Sequence, residues 1–153
     1  MLGGVRCFLA IAAAALAGCS SASAPKQPEP DATAQPWYGD AVRQLESMNG
    51  KARELLARHK SDEAARVITA AEAWANRVIG VPHPTLAAME AASELDEMYG
   101  RMLLENRNYG WARMMFQKNL ARWRTWQPRT GETLEHLKTA EQEIAECDRR
   151  MTE

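Results

Sequence analysis

Beyond Trp37, apolar positions recur at steps of three and four with charged residues between them, the pattern of helices that each bury one face. The clearest run is His83 to Trp126. Its first half carries Leu86, Met89, Ala92, Leu95, Met98 or Tyr99, and Met102. After a polar break at Glu105–Asn108, its second half carries Ala112, Met115 or Phe116, Leu120 and Trp123. Neither stripe can be buried alone, so these two helices must pack on each other and on neighbours. Upstream, the spacing predicts a helix from Gly39 or Asp40 to His59, with Asp40 as its cap, Val42, Leu45, Met48, Leu55 and Leu56 on its apolar face, and Asn49-Gly50 as a weak point. Lys60-Ser61-Asp62 breaks the chain before a second helix, Glu63 to about Ile79, carrying Ala64, Val67, Ile68, Ala71, Trp74 and Val78. Gly80 to Pro84 stops it, because proline removes a donor and disfavours helix before it. Thr85 then caps the third helix. The fourth starts near Asn108 and stops at Pro128–Gly131, and Thr130 or Thr133 caps a fifth, Leu134 to about Met151. No stretch alternates as a strand would, so the expected class is all-α.

The first 36 residues follow different rules. Arg6 precedes an apolar run, Cys7 to Ala17, that is too short to span a bilayer but fits the charged and apolar parts of a secretory signal. The run ends in Leu16-Ala17-Gly18-Cys19, which resembles the bacterial lipoprotein signal box. That resemblance implies cleavage after residue 18, acylation of Cys19, and anchoring by acyl chains rather than by a spanning helix. Ser20 after the cysteine implies, by the same resemblance, an outer-membrane lipoprotein facing the periplasm, or a plasma-membrane lipoprotein in a cell with a single membrane. From Ser20 to Pro36, four prolines alternate with small and polar residues, the composition of an extended tether. The expected organisation is a signal over 1–18, an acylated cysteine and linker over 19–36, and a helical domain over 37–153.

Composition narrows the function. Nineteen Lys and Arg stand against twenty Asp and Glu, a net charge of −1, and loss of Arg6 with the signal makes the mature chain more acidic still. A nucleic-acid binder would show a basic excess, so none is expected as partner. Charge is uneven: Arg101, Arg107, Arg113, Lys118, Arg122, Arg124 and Arg129 are clustered, with acidic helices on both sides. Pairing between helices accounts for this contrast more simply than a basic strip facing an acidic partner. Of three cysteines, Cys7 leaves with the signal and Cys19 is the expected acyl acceptor. Cys147 lies on the apolar stripe of the fifth helix, where burial is expected, with an intermolecular disulfide as the other reading.

The helices alternate short turns with longer Pro/Gly turns, and Pro84-Thr85-Leu86 matches Glu132-Thr133-Leu134, a period in the forties. Ala65 and Ala112 take matching places in the second and fourth helices. The chain here resembles the tetratricopeptide repeat family, in the long-repeat form of kinesin light chains. There a G-P-x-H-P-x-T-L turn opens each unit; here Gly80-Val81-Pro82-His83-Pro84-Thr85-Leu86 is one residue short. Gly100, Tyr109, Ala112 and Phe116 stand where that repeat has its glycine, aromatic, alanine and aromatic. The first unit departs from the pattern, with Asp62 and Thr69 where aromatics belong, and the family's closing proline comes late, at Pro128. The resemblance implies a short array of stacked helical hairpins, with a closed five-helix bundle as the other packing. It also implies a protein-binding groove lined by the first helix of each unit, which carries over to Glu94, Glu97, Arg101, Leu104 and Glu105.

No catalytic motif is present. His59, His83 and His136 are scattered, none with a second histidine or cysteine at metal-ligand spacing, so neither a metal nor another cofactor is expected. The expectation is a non-enzymatic, membrane-anchored interaction scaffold with a protein or peptide partner and no small-molecule substrate. Two alternatives are a pilotin-like lipoprotein that chaperones an outer-membrane secretion or pilus subunit, and an envelope enzyme or inhibitor. Trp111 or Trp126, if exposed beside Met114, would make a second docking patch.

Overall fold

In the computed structural model, which describes residues 30–153, the fold is all-α. The signal-like run, Cys19 and most of the tether lie outside the described residues. A short 3-10 turn, Ala32–Ala34, leads into α1, Pro36–Ala57, followed by α2, Ser61–Ile79, α3, Leu86–Glu105, α4, Tyr109–Thr125, and α5, Gly131–Thr152. Among the described residues there is no strand, and no helix is long and apolar enough to cross a membrane. Each helix packs on the next, and α1 also packs on α3. Contact of that kind does not extend from α1 or α2 to α4 or α5. The hairpins therefore stack as a linear array, and the closed five-helix bundle is not formed.

The two hairpins share a register. α1 ends at Ala57 and α3 at Glu105; α2 starts at Ser61 and α4 at Tyr109; each pair is 48 residues apart. The same offset links His59 and Arg107, the two non-glycine residues with positive φ among those described (57° and 60°). Both sit just past a helix and close it in the same way. Lys60 N donates to Leu55 O at 2.9 Å and His59 N to Leu56 O at 2.9 Å. Asn108 N donates to Leu103 O at 2.8 Å and Arg107 N to Leu104 O at 3.0 Å. These are Schellman closures, built here without the usual glycine. The offset also pairs Ala64 with Ala112 and Ile68 with Phe116, all fully buried. Ala64, rather than the half-buried Ala65, is thus the counterpart of Ala112.

Several boundaries differ from the expected ones, each for a local reason. Pro36 occupies the first turn of α1, where its missing N–H costs nothing, so the helix starts before Asp40. Asp40 lies inside it and pairs with Arg43 instead of capping. Asn49-Gly50 does not interrupt α1: Asn49 is buried, and its Nδ2 donates to Ala91 O of α3 at 2.7 Å. The first break is Arg58–Lys60, two residues earlier than expected. Thr85 Oγ1 caps α3 by accepting from Ala88 N at 3.3 Å. At α5 both candidate threonines act, Thr130 as cap and Thr133 reaching back to Thr130 N in a reciprocal box.

α3 is the central helix. Ala88, Ala91, Ala92, Leu95, Met98 and Met102 join Tyr38, Leu45, Ile68 and Val78 in one core shared with α1 and α2. Ala112, Phe116 and Cys147 form a second cluster between α4 and α5. Gly100 lies where α3 crosses α4; a Cβ there would stand 2.5 Å from Phe116 Cε1. Beside that crossing runs a buried polar network. Arg122 Nη2 donates to Asp96 Oδ2 at 2.6 Å and Nη1 to Asn119 Oδ1 at 3.0 Å; Ser93 Oγ donates to the same Oδ1 at 2.6 Å. Trp123 Nε1 donates to Ser93 Oγ at 2.8 Å. Asp96 and Arg122 are thus a buried ion pair between α3 and α4. Leaving either alone would strand a buried charge.

Candidate functional site

α1, α3 and α5, the first helix of each unit and the closing helix, face a common groove of about 560 Å³. α3 is its floor, because Ala87, Glu90, Glu94, Glu97 and Arg101 follow one another at steps of three and four and so share a face. α1 contributes Glu46 and Arg53, and α5 contributes Glu132 and His136. Three of the five sequence-predicted groove residues, Glu94, Glu97 and Arg101, therefore come together here. Leu104 and Glu105 do not. Leu104 continues the same face but packs against the second core cluster, and Glu105 ends α3. Both line a separate hollow with Arg107, Tyr109 and Arg150.

Charge in the groove is held in two arrangements. Near its middle, Arg53 pairs with Glu94, which also accepts from Asn49 Nδ2 at 3.2 Å. Arg101 bridges Glu97 at 2.7 Å and Glu143 of α5 at 2.9 Å. Burial, and then the neighbouring Glu97, push the Glu143 carboxyl up to about 7, against the pull of Arg101. At the α5 end, Glu46, Glu90 and Glu132 have no cationic Lys or Arg partner among the described residues. Burial first, and then Glu132, raise the Glu90 carboxyl above its ordinary value. Glu90, Glu132 and His136 each bring one donor atom to within 4.8 Å of the others. The His136 ring is stacked on Trp123, with centroids 4.4 Å apart and planes 9° from parallel.

Within the basic cluster from Arg101 to Arg129, three more residues pair with acidic neighbours on other helices. Arg113 meets Asp148 at 2.6 Å, Lys118 meets Asp96 at 2.8 Å, and Arg124 meets Glu141 at 3.4 Å. The charge contrast along the sequence is thus largely internal pairing. Cys147 is fully buried, and burial raises its thiol above the ordinary value, with Asp148 adding to the effect. A protonated, enclosed thiol is a poor nucleophile. On the α2–α4 side, Trp111 is 63% exposed and Met114 42%, while Trp126 is half-buried against Trp123.

Reading spacings for paired histidines and cysteines missed the Glu90, Glu132 and His136 cluster. Only Glu132 and His136, one helical turn apart, were close in sequence; Glu90 arrives from another helix. Together the array and its groove define an all-α helical-repeat architecture. No family model matches the chain, and no curated protein or solved structure matches it either.

Proposed function

We propose that the protein is a membrane-anchored envelope lipoprotein whose helical array acts as an interaction scaffold, holding an extended segment of a partner protein in the groove of α1, α3 and α5. The observation that carries this reading is that the first helix of each unit and the closing helix face one open groove, the arrangement implied by the tetratricopeptide resemblance. Five glutamates line it against Arg53 and Arg101, so the segment that complements it is basic.

Tethering through Cys19 would present the groove at a distance from the bilayer. The test is capture from the protein's own envelope extract by the wild-type chain and by a Glu94→Lys, Glu97→Lys variant. Both side chains are partly exposed, so charge reversal leaves the core intact. A specific partner retained by the wild type, and by a Trp111→Ala control, should be lost from the groove variant. Identical captured proteins from all three would refute the groove. Separately, Cys19→Ser should release the protein from membranes; unchanged retention would refute the anchor.

A further inference from the structure

We propose that Glu90, Glu132 and His136 form a binding site for a divalent transition-metal ion of the zinc type at the α5 end of the groove. It stands on its own donors and does not depend on a partner occupying the groove.

The donor set suits such an ion. Two carboxylates and one imidazole supply the mixed O/N ligands that zinc and its first-row neighbours accept, whereas magnesium and calcium favour oxygen alone. Three protein ligands would leave further positions open to water or a partner group. Around a tetrahedral zinc, ligand atoms about 2.1 Å from the metal lie about 3.4 Å from one another. All three donors are already within 4.8 Å, so closure needs roughly an ångström of side-chain movement. Glu132 can make it, because it is exposed.

The scaffold behind the donors is firm. Glu132 and His136 are one turn apart on α5 and share a face, and Glu90 approaches from α3. His136 is stacked on the buried Trp123, whose Nε1 donates to Ser93 Oγ at 2.8 Å. Stacking on a buried, hydrogen-bonded indole restricts the orientation of the His136 ring.

Electrostatics point the same way. Glu46, Glu90 and Glu132 gather at this end, while the groove's arginines are engaged elsewhere, Arg53 with Glu94 and Arg101 with Glu97 and Glu143. The N-terminus of α5 opposes a cation, but its roughly half-unit positive charge is smaller than that of the two ligating carboxylates.

The test is calorimetric titration of the metal-stripped full-length chain with zinc ion, in the absence of any partner. One ion per chain should bind. Glu132→Gln and His136→Gln should each weaken binding at least about tenfold, while His59→Gln and His83→Gln leave it unchanged. Glu132→Gln alters an exposed side chain, so an unchanged helical circular dichroism spectrum separates lost ligation from lost fold. No saturable binding, or binding undiminished in both ligand variants, would overturn the site.

Discussion

The Glu143 carboxylate is held between α5 and α3, with one oxygen 2.9 Å from Arg101 Nε and the other without a hydrogen-bond partner among the described residues. Arg101 is shared with Glu97 and itself exposed, so the ion pair does not offset the desolvation of Glu143. Its folded pKa of about 7 lies above the ordinary 4.5, so folding favours the protonated form. The stability it contributes is full below the ordinary value and falls as pH rises towards and through 7. Glu143→Gln keeps the shape and removes the ionisation. It should match the wild type near pH 5 and exceed it near pH 8 by about 1–2 kcal/mol, allowing for screening by nearby water. Urea denaturation at the two pH values measures this, and an equal difference at both would contradict it.

At the scale of helices and their crossings, two glycines inside helices should respond oppositely to one added carbon. Gly100→Ala puts a Cβ against the Phe116 ring in the α3–α4 crossing and should cost about 1–3 kcal/mol, because a full core has no room to yield. Gly50→Ala, in α1, meets nothing within 4 Å and should stabilise by about 0.5–1 kcal/mol through helix propensity alone. Chemical denaturation of both variants checks the pair, and the same sign for both would contradict this account of the crossing. The sequence reveals this level well where a residue acts on its own neighbours: the apolar stripes place all five helices, Thr85 caps α3, and Gly100 marks the close approach. It is less revealing where tertiary contact reverses a residue's habit. Asn49 reads as a helix weak point until it is seen bonding Ala91 O. Asp96 and Arg122 are ordinary helix charges in the sequence, and only the packing of α3 on α4 buries them as a pair beside Ser93 and Asn119. Leu104 keeps to the periodic face of the groove residues, yet periodicity cannot show that the second core cluster claims it.

At the scale of the described domain, a register of 48 residues repeats a helix pair, and α5 packs on α4 after the second pair. Stacking of this kind gives α1, α3 and α5 one shared side, and the groove is a consequence of that geometry. The class of fold could be anticipated from the apolar stripes along the chain, and the middle of the groove, Glu94 to Arg101, from the tetratricopeptide resemblance. The contributions of Glu46, Glu90, Glu132 and His136 could not, because three helices far apart in sequence must first be stacked. A partner segment is proposed to lie in this groove. The most direct measurement is site-specific photo-crosslinking in intact cells that express the protein, with the crosslinker placed at Glu97 in the groove or at Trp111 on the α2–α4 side. A discrete protein adduct is expected from position 97 and is lost on Glu94→Lys substitution, with no such adduct from position 111. Adducts from position 111 alone, or none from position 97, would contradict it.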